Sequence, residues 1–231
     1  MQPNPKFPDP KNQAIVSIAE KSAAAFYNYR NTSLLQRCRL LKTIASLITK
    51  EEEILLTTAA KETNLSLPRL KTEFKRTIFQ LESYADHCLS GQWLEARIDT
   101  PTSEQPEKRD VRKTMVPLGP VVVFGASNFP FAYSTPGGDT ASALAAGCSV
   151  IVKAHPGHPE TSERCAELIK KAVLENGLPE GVFQHVHGSS FEVGEALVKH
   201  PLVKAVGFTG SFSGGKQLFD WANQQIGRAH V

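Results

Sequence analysis

Glycine is distributed unevenly along this chain, and that asymmetry limits the folds open to it. Gly91 precedes Val111, and the other fifteen of the sixteen glycines lie beyond it. Glycine weakens helices from within and serves tight turns, helix ends and close backbone approaches. The part before Val111 is therefore expected to be mostly helical, and the part after it to be rich in tight connections. Apolar spacing agrees with this in the first part. Asn12 to Tyr29 carries Ile15, Ile18, Ala19 and Ala23 at helical intervals. Ser33 is placed to cap a second helix with Leu34, Cys38, Leu41, Ala45 and Ile48 on one face. Lys50 to Thr63 reads as a third helix with a weaker pattern. Leu67 to Leu89 repeats the period through Leu70, Phe74, Ile78, Leu81 and Tyr84. Asp99 to Asp110 is rich in Pro, Thr, Ser and charge, and predicts a loop or linker.

Beyond Val111 short β-branched runs alternate with helical patterns. Val121 to Phe124, Ser149 to Lys153, a run opening at Gly181, and Val203 to Phe208 read as strands. Helices are expected from Pro136 to near Gly147, from Glu160 to Glu175, from Phe191 to Lys199 and from Ser211 onward. This alternation implies right-handed βαβ crossovers and a parallel sheet. The fold class is thus α/β, with N-terminal helices followed by a Rossmann-like parallel sheet. The expected organisation is a helical segment and linker over residues 1–110, an α/β portion over residues 111–225, and a separate tail over residues 226–231. Because the sheet pattern stops after four strands, an uncovered sheet edge is expected.

The net charge is +3, from 26 Lys and Arg against 23 Asp and Glu. That is too mild to point to a nucleic-acid or membrane-surface partner. No apolar run is long enough to span a bilayer, and the Pro-rich start has no secretory h-region. Cys38, Cys88, Cys148 and Cys165 form no CxxC pair. They read as free thiols in a reducing, cytoplasmic compartment, buried as small apolar residues.

Ligands on parallel sheets bind at the carboxyl ends of the strands, so the turns after Phe124, Lys153, Val186 and Phe208 matter most. The first turn, Gly125-Ala126-Ser127-Asn128-Phe129-Pro130, offers the Asn128 amide as a donor to a developing oxyanion. The same asparagine could simply bond its own turn. Lys153, at the end of the second strand, could reach a ribose or phosphate, or stay solvated. His155 and His158 invite a metal, with His185 and His187 further along. That HxxH lies in a Pro-rich turn and no carboxylate has a matching spacing, so no metal is expected. After the fourth strand, Gly210 and Ser211 open a helix whose N–H groups suit a phosphate. Gly210, Gly215 and Lys216 also fit part of a P-loop, but Gln217 stands where Ser or Thr would hold Mg²⁺. A P-loop NTPase and a non-catalytic nucleotide-binding module are the rival readings. The GxGxxG fingerprint is absent.

These turns, in this order, resemble the aldehyde dehydrogenase superfamily. The likeness is carried by residues 117–130, by Gly137 to Cys148, by Val152-Lys153-Ala154-His155-Pro156 and by Gly207-Phe208-Thr209-Gly210-Ser211. With Arg76 to Leu81 and Trp93 to Asp99, the wording is most similar to the 2,5-dioxovalerate (α-ketoglutaric semialdehyde) dehydrogenases of the NADP-using branch. The resemblance implies NAD(P)-dependent oxidation of a small aldehyde. A cysteine forms a thiohemiacetal, hydride passes to NAD(P)⁺, and a glutamate-activated water releases the acid. It implies that Asn128 is the oxyanion donor and that Lys153 contacts the adenine ribose. It places Gly188 on the adenine side and Gly210 and Ser211 at the pyrophosphate. Gly125, Ala126, Ser127, His155 and Phe208 are expected to line the same cofactor. Many NAD-specific relatives carry a glutamate three residues after the lysine, where this chain has Pro156, so NADP is the expected cofactor, with NAD the alternative. The resemblance also implies a homo-oligomer for the full-length parent.

Relatives carry the nucleophilic cysteine and the base glutamate beyond the Phe-Thr-Gly-Ser motif. Here no Cys follows Cys165 and no Glu follows Glu195. The chain is therefore expected to be an N-terminal piece that does not turn over aldehyde. Ile226-Gly227-Arg228-Ala229-His230-Val231 ends the resemblance abruptly. It is one reading frame of the common sequencing-adapter sequence ATCGGAAGAGCACACGTC, and a non-native tail is expected there.

Overall fold

The computed structural model describes residues 6–224; the adapter-like tail over residues 226–231 lies outside them. Four helices come first: α1 (Asn12–Tyr29), α2 (Leu34–Lys50), α3 (Glu52–Thr63) and α4 (Leu67–Ser90). A short antiparallel pair follows, β1 (Arg97–Asp99) with β2 (Val111–Lys113). The α/β part then runs β3 (Val121–Phe124), α5 (Gly138–Ala146), β4 (Val150–Lys153), α6 (Pro159–Glu175), β5 (Phe183–Val186), α7 (Phe191–Lys199), β6 (Ala205–Phe208) and α8 (Phe212–Asn223). The four strands β3 to β6 form one parallel sheet in the order β5-β4-β3-β6.

The helices begin and end where local chemistry allows. The Ser33 hydroxyl accepts from the Gln36 N–H, and the Gln36 side chain accepts from the Ser33 N–H, a reciprocal capping box for α2. Gly91 and Gly147 end α4 and α5 in the left-handed conformation, at φ 68° and 90°.

Two sequence-based boundaries move for physical reasons. The turn Glu180–Val182 is a 3₁₀ helix rather than the start of a strand. Gly181 sits so close to α1 that a Cβ there would lie 2.2 Å from the Lys21 carbonyl oxygen. The last strand starts at Ala205 rather than Val203, because Val203 closes a turn onto the His200 carbonyl and Lys204 donates to Pro120. The stretch expected as linker is framed by β1 and β2, whose exposed side chains left no apolar alternation to read.

Successive strand residues point to opposite faces. Val121, Val123, Val150 and Val152 face a core shared with α2, α4, α5 and α6. Val122 and Ile151 face a smaller core closed by Ile15 and Ala19 of α1 and by Val193 and Leu197 of α7. The N-terminal helices are therefore part of the sheet's own packing. Tyr29 donates to the Leu144 carbonyl at 2.9 Å, and Ser22 donates to the Ser149 hydroxyl at 2.9 Å, both buried. Burial pushes the Tyr29 phenol well above its ordinary range. Arg37 is buried and donates to the carbonyls of Arg30 and Ala146 and to the Thr32 hydroxyl. It ties the ends of α1 and α5 to α2. Among the described residues β6 pairs on one side only, with β3. Val116, Leu118, Phe212 and Phe219 are exposed in this part of the chain.

Gly147 combines a left-handed backbone with a close neighbour, since a Cβ there would stand 2.5 Å from the Arg37 guanidinium carbon. Gly147→Ala is expected to cost roughly 1–2 kcal/mol from backbone conformation alone. Displacing the Arg37 hydrogen bonds would add to that. Urea unfolding of the two chains measures the loss; a change within about 0.5 kcal/mol would contradict this account.

Candidate functional site

Chain order reverses direction at β3. From β3 the path steps to β4 and β5 on one side, then returns as β6 on the other. Such a switch point opens a crevice at the carboxyl ends of the two strands that diverge, which is where α/β sheets bind ligands. The register makes the crevice concrete. Phe124 pairs with Phe208 on one side and with Lys153 on the other, and Lys153 pairs with Val186. All four strand ends lie in one row, so the turns expected to carry chemistry emerge side by side.

The turn after β3 is held from several directions. The Gly125 N–H donates to Lys153 at 3.2 Å, and the Ala126 N–H to Tyr133 at 2.8 Å. A Cβ on Gly125 would lie 2.8 Å from the Ser134 hydroxyl, so the turn needs glycine for close approach. His158 is fully buried, and its Nε2 pairs with the Ala126 carbonyl at 2.7 Å. That carbonyl only accepts, so Nε2 carries the proton. Burial lowers the His158 pKa. Ser127 and Asn128 are exposed at the tip of the turn. The Asn128 carbonyl accepts from Arg69 at 2.8 Å, and no hydrogen bond holds its side-chain amide among the described residues. The reading in which Asn128 bonds its own turn is therefore not realised, and the amide is left open to a ligand.

Helix α4 supports the rest of this loop. Glu73 is buried and accepts from the Phe131 and Ala132 N–H groups at 2.7 and 2.9 Å. Burial raises its pKa, and those two bonds oppose the rise. Arg76 donates to the Tyr133 hydroxyl. Glu73, Arg69 and His158 carried no sequence signal as loop holders, because partners 58 and 59, 59, and 32 positions away leave no local pattern.

Lys153 is half-buried at the end of β4, and desolvation brings its pKa down to about 8, with Asp9 acting to raise it. His155 beside it is pushed down to about 4, first by burial and then by His158 and Lys153. Its Nδ1 accepts from the Gly157 N–H at 3.0 Å, and its ring stacks on His158 with centroids 5.6 Å apart. His155 is thus used within its own turn, while His158 reaches across to the turn after β3. Gly188, after β5, has φ 155°, and a Cβ there would meet Val193 at 3.0 Å. The following Ser189 and Ser190 N–H groups donate to Asp9. Bonds from Ser190 and Ser189 hold the Asp9 carboxyl below its usual range.

After β6 the connection is short. Ser211 caps α8 by accepting from the Gly214 N–H at 3.2 Å. The first N–H groups of a helix have no intrahelical acceptors, and here they open beside exposed Gly210 and Ser211. The Phe208 ring lies under Gly210, Gly214 and Gly215. Gly215 and Lys216 fall inside α8, and Lys216 is engaged by Asp220 at 2.7 Å. A three-residue connection with its lysine turned to an aspartate does not form the phosphate cradle of a P-loop, which removes that reading.

The four cysteines are free and buried. Burial pushes Cys165 up to about 12 and raises Cys88. Among the described residues, no helix is long and apolar enough to cross a membrane. Glu163, His185 and His187 bring three donor atoms within 4.8 Å of one another. The spacing argument against a metal did not foresee this carboxylate, because α6 supplies it from 22 residues upstream of His185.

The Aldehyde dehydrogenase family profile matches residues 3–231. The chain is 47% identical over 209 residues to the alpha-ketoglutaric semialdehyde dehydrogenase of Acinetobacter baylyi, covering 90% of this chain and 39% of that protein. It is 48% identical over 206 residues to alpha-ketoglutaric semialdehyde dehydrogenase 2 of Azospirillum brasilense, covering 88% of this chain and 39% of that one. It therefore spans about two fifths of the length of these curated relatives. A solved NAD-dependent aldehyde dehydrogenase from Sinorhizobium meliloti superposes with TM-score 0.82 at 26% identity, over 96% of this chain and 42% of that one. Strand order, the row of turns at the switch point and these matches agree: the chain belongs to the aldehyde dehydrogenase family.

Proposed function

We propose that this chain is the N-terminal, cofactor-binding part of an enzyme that oxidises a small semialdehyde, 2,5-dioxovalerate, to its dicarboxylate with NADP⁺. The observation that carries the binding role is the β3–β6 switch point, which sets the exposed Asn128 turn beside the open N-terminus of α8. The substrate rests on the two semialdehyde dehydrogenases at 47 and 48% identity. The four free thiols fit a reducing, cytoplasmic setting, and a homo-oligomer is proposed for the full-length enzyme.

The residues present suit a dinucleotide. Gly210, Ser211 and the first N–H groups of α8 would hold the pyrophosphate. Lys153 would hold the adenine ribose, with Gly188 and His155 on the adenine side. Gly125, Ala126, Ser127 and Phe208 would line the crevice between them. Bound there, NADP⁺ would supply the acceptor for the hydride of the aldehyde carbon. The task of Asn128 is to donate its side-chain N–H to the carbonyl oxygen as negative charge builds there. Its amide is free for that work because Arg69 holds only the backbone carbonyl. His155 and His158 stay neutral near pH 7, since burial lowers both, and so add no fixed charge to the site. The position three residues after Lys153 is Pro156 rather than a carboxylate, which leaves Lys153 to pair with a 2′-phosphate. The Asp9 carboxylate, engaged by Ser189 and Ser190, is the feature that favours NAD⁺.

The nucleophile and the base are proposed to lie in sequence beyond these 231 residues. A thiol acts as a nucleophile through its thiolate, and buried Cys88 and Cys165 are pushed away from that form. The second reading, a nucleotide-binding module without catalysis, describes what this chain does when isolated.

Equilibrium titration with both cofactors is expected to show tighter binding of NADP⁺ than of NAD⁺; the reverse order would overturn the choice. Lys153→Ala should weaken NADP⁺ roughly tenfold or more, the worth of one hydrogen bond to a charged group. Lys153 is cationic below its pKa of about 8 and neutral above it. NADP⁺ affinity should therefore fall as pH rises through that value, and this dependence should vanish in Lys153→Ala. Incubated with 2,5-dioxovalerate and NADP⁺, the chain should form no NADPH. Turnover abolished by thiol alkylation would show that one of the four cysteines is the nucleophile after all.

A further inference from the structure

His185 and His187 stand two residues apart at the end of β5, so both side chains leave the same face of the sheet. Among the described residues β5 is an edge strand, and α6 is the crossover that leads into it. Glu163, in the second turn of α6, reaches both rings. Its Oε2 lies 3.3 Å from His185 Nδ1 and is hydrogen-bonded to His187 Nε2. Contact with both imidazoles holds the Glu163 carboxyl well below the ordinary carboxylate range, so it is ionised.

The far side of His185 is organised as well. Its Nε2 is 2.8 Å from the Ser162 hydroxyl, which pairs in turn with the Thr135 hydroxyl. When His185 donates from Nε2 to Ser162, Nδ1 carries its lone pair toward Glu163 and His187. This is the outer-shell hydrogen bond that metal-bound histidines usually have, and it fixes the tautomer a ligand needs. Exposure is graded across the cluster. The His185 side chain is 1% exposed, His187 16% and Glu163 32%. The anchor is thus buried and the outer two ligands face solvent. Phe7 covers one side of His187, with ring centroids 4.4 Å apart.

We propose that Glu163, His185 and His187 form a binding site for one divalent first-row transition metal of the Zn²⁺ class, through the Glu163 carboxylate, His185 Nδ1 and His187 Nε2, with water completing the shell. Two imidazoles and a carboxylate suit Zn²⁺, Ni²⁺ or Cu²⁺ and are a poor set for Mg²⁺ or Ca²⁺, which prefer oxygen alone. Metal–nitrogen and metal–oxygen bonds of about 2.1 Å place tetrahedral donors roughly 3.4 Å apart. The three donors lie within 4.8 Å of one another, and the two partly exposed side chains can close that gap by rotating. The site would cross-link the edge strand to α6, one residue before Gly188. It does not depend on the aldehyde reading.

The test is calorimetric titration of the chelator-stripped 231-residue chain with Zn²⁺, with Mg²⁺ as comparator. One Zn²⁺ per chain is expected, with a rise in Tm, and no binding of Mg²⁺. His187→Ala and Glu163→Gln should each weaken Zn²⁺ by more than roughly tenfold and abolish the rise in Tm. His87→Ala, a change at an exposed histidine elsewhere, should leave both unchanged. Ser162→Ala keeps all three ligands and loses the outer bond together with the Thr135 contact; a loss of about tenfold is expected there as well. That variant provides the check should a ligand variant fail to fold. Absence of Zn²⁺ binding would overturn the proposal. So would full affinity in both His187→Ala and Glu163→Gln, or loss of binding on His155→Ala alone.

Discussion

The parallel register that sets Phe124 beside both Lys153 and Phe208 is the constraint on which the rest of the structure depends. It requires β3 to be buried on both faces, because crossover helices in a parallel sheet lie above and below it. Val121 and Val123 are met by one core and Val122 by the other. A shift of one residue would exchange those faces and also break the row of strand ends. The alignment of four turns along one edge of the sheet therefore follows from core packing. No ligand is needed to create it.

A row of turns makes a site only if the turns hold their shape, and here α4 contributes what the sheet cannot. The loop over residues 125–137 is too long to be fixed by its two anchors alone. Glu73 gathers two of its N–H groups, Arg69 takes the Asn128 carbonyl, and His158 holds the Ala126 carbonyl from below. The Phe74 ring meets the Phe131 ring edge-on at 5.5 Å and gives the same contact an apolar anchor. These three polar partners engage the backbone of the loop, and among the described residues no hydrogen bond holds the side chains of Ser127 and Asn128 at its tip. A buried carboxylate is costly unless its oxygens are paired. Both backbone donors go to Glu73 Oε1 and offset part of that cost; buried Oε2 has no hydrogen-bond partner among the described residues, and burial accordingly raises the carboxyl's pKa.

Much of this was legible in the sequence, and the reason is local. Periodicity placed α1, α2, α4 and α7 close to their observed limits, because an amphipathic helix shows its buried face in its own spacing. Ser33 and Ser211 were recognisable caps for the same reason. Strand–helix alternation gave the parallel sheet and the four turns. The sequence did not reveal which residues would meet across the fold. The Pro-rich turn around His155 and His158 argued against a metal there, but nothing in it told that His158 would reach the Ala126 carbonyl of another turn. Glu163 comes to His185 and His187 only because α6 crosses over between β4 and β5. The start of β5 was misplaced because Gly181 is held by a contact with α1, some 160 residues earlier.

The cysteines and the turns show how burial divides labour within this chain. All four thiols lie inside the packing that supports the sheet; the Cys88 sulfur, for example, sits 3.3 Å from the Ala145 carbonyl between α4 and α5. Removing a thiol from water raises its pKa and lowers its reactivity together, so the same burial that suits a cysteine to the core unsuits it to attack a carbonyl. The residues at the strand ends meet the opposite demand. Asn128 and Ser211 are exposed and Lys153 half-buried, each on a backbone fixed by sheet or helix. Polar groups are therefore held in place at the strand ends while the thiols stay packed in the core. A thiol serving this crevice would have to come from a segment that approaches it from outside the sheet, facing Asn128 rather than packed behind it.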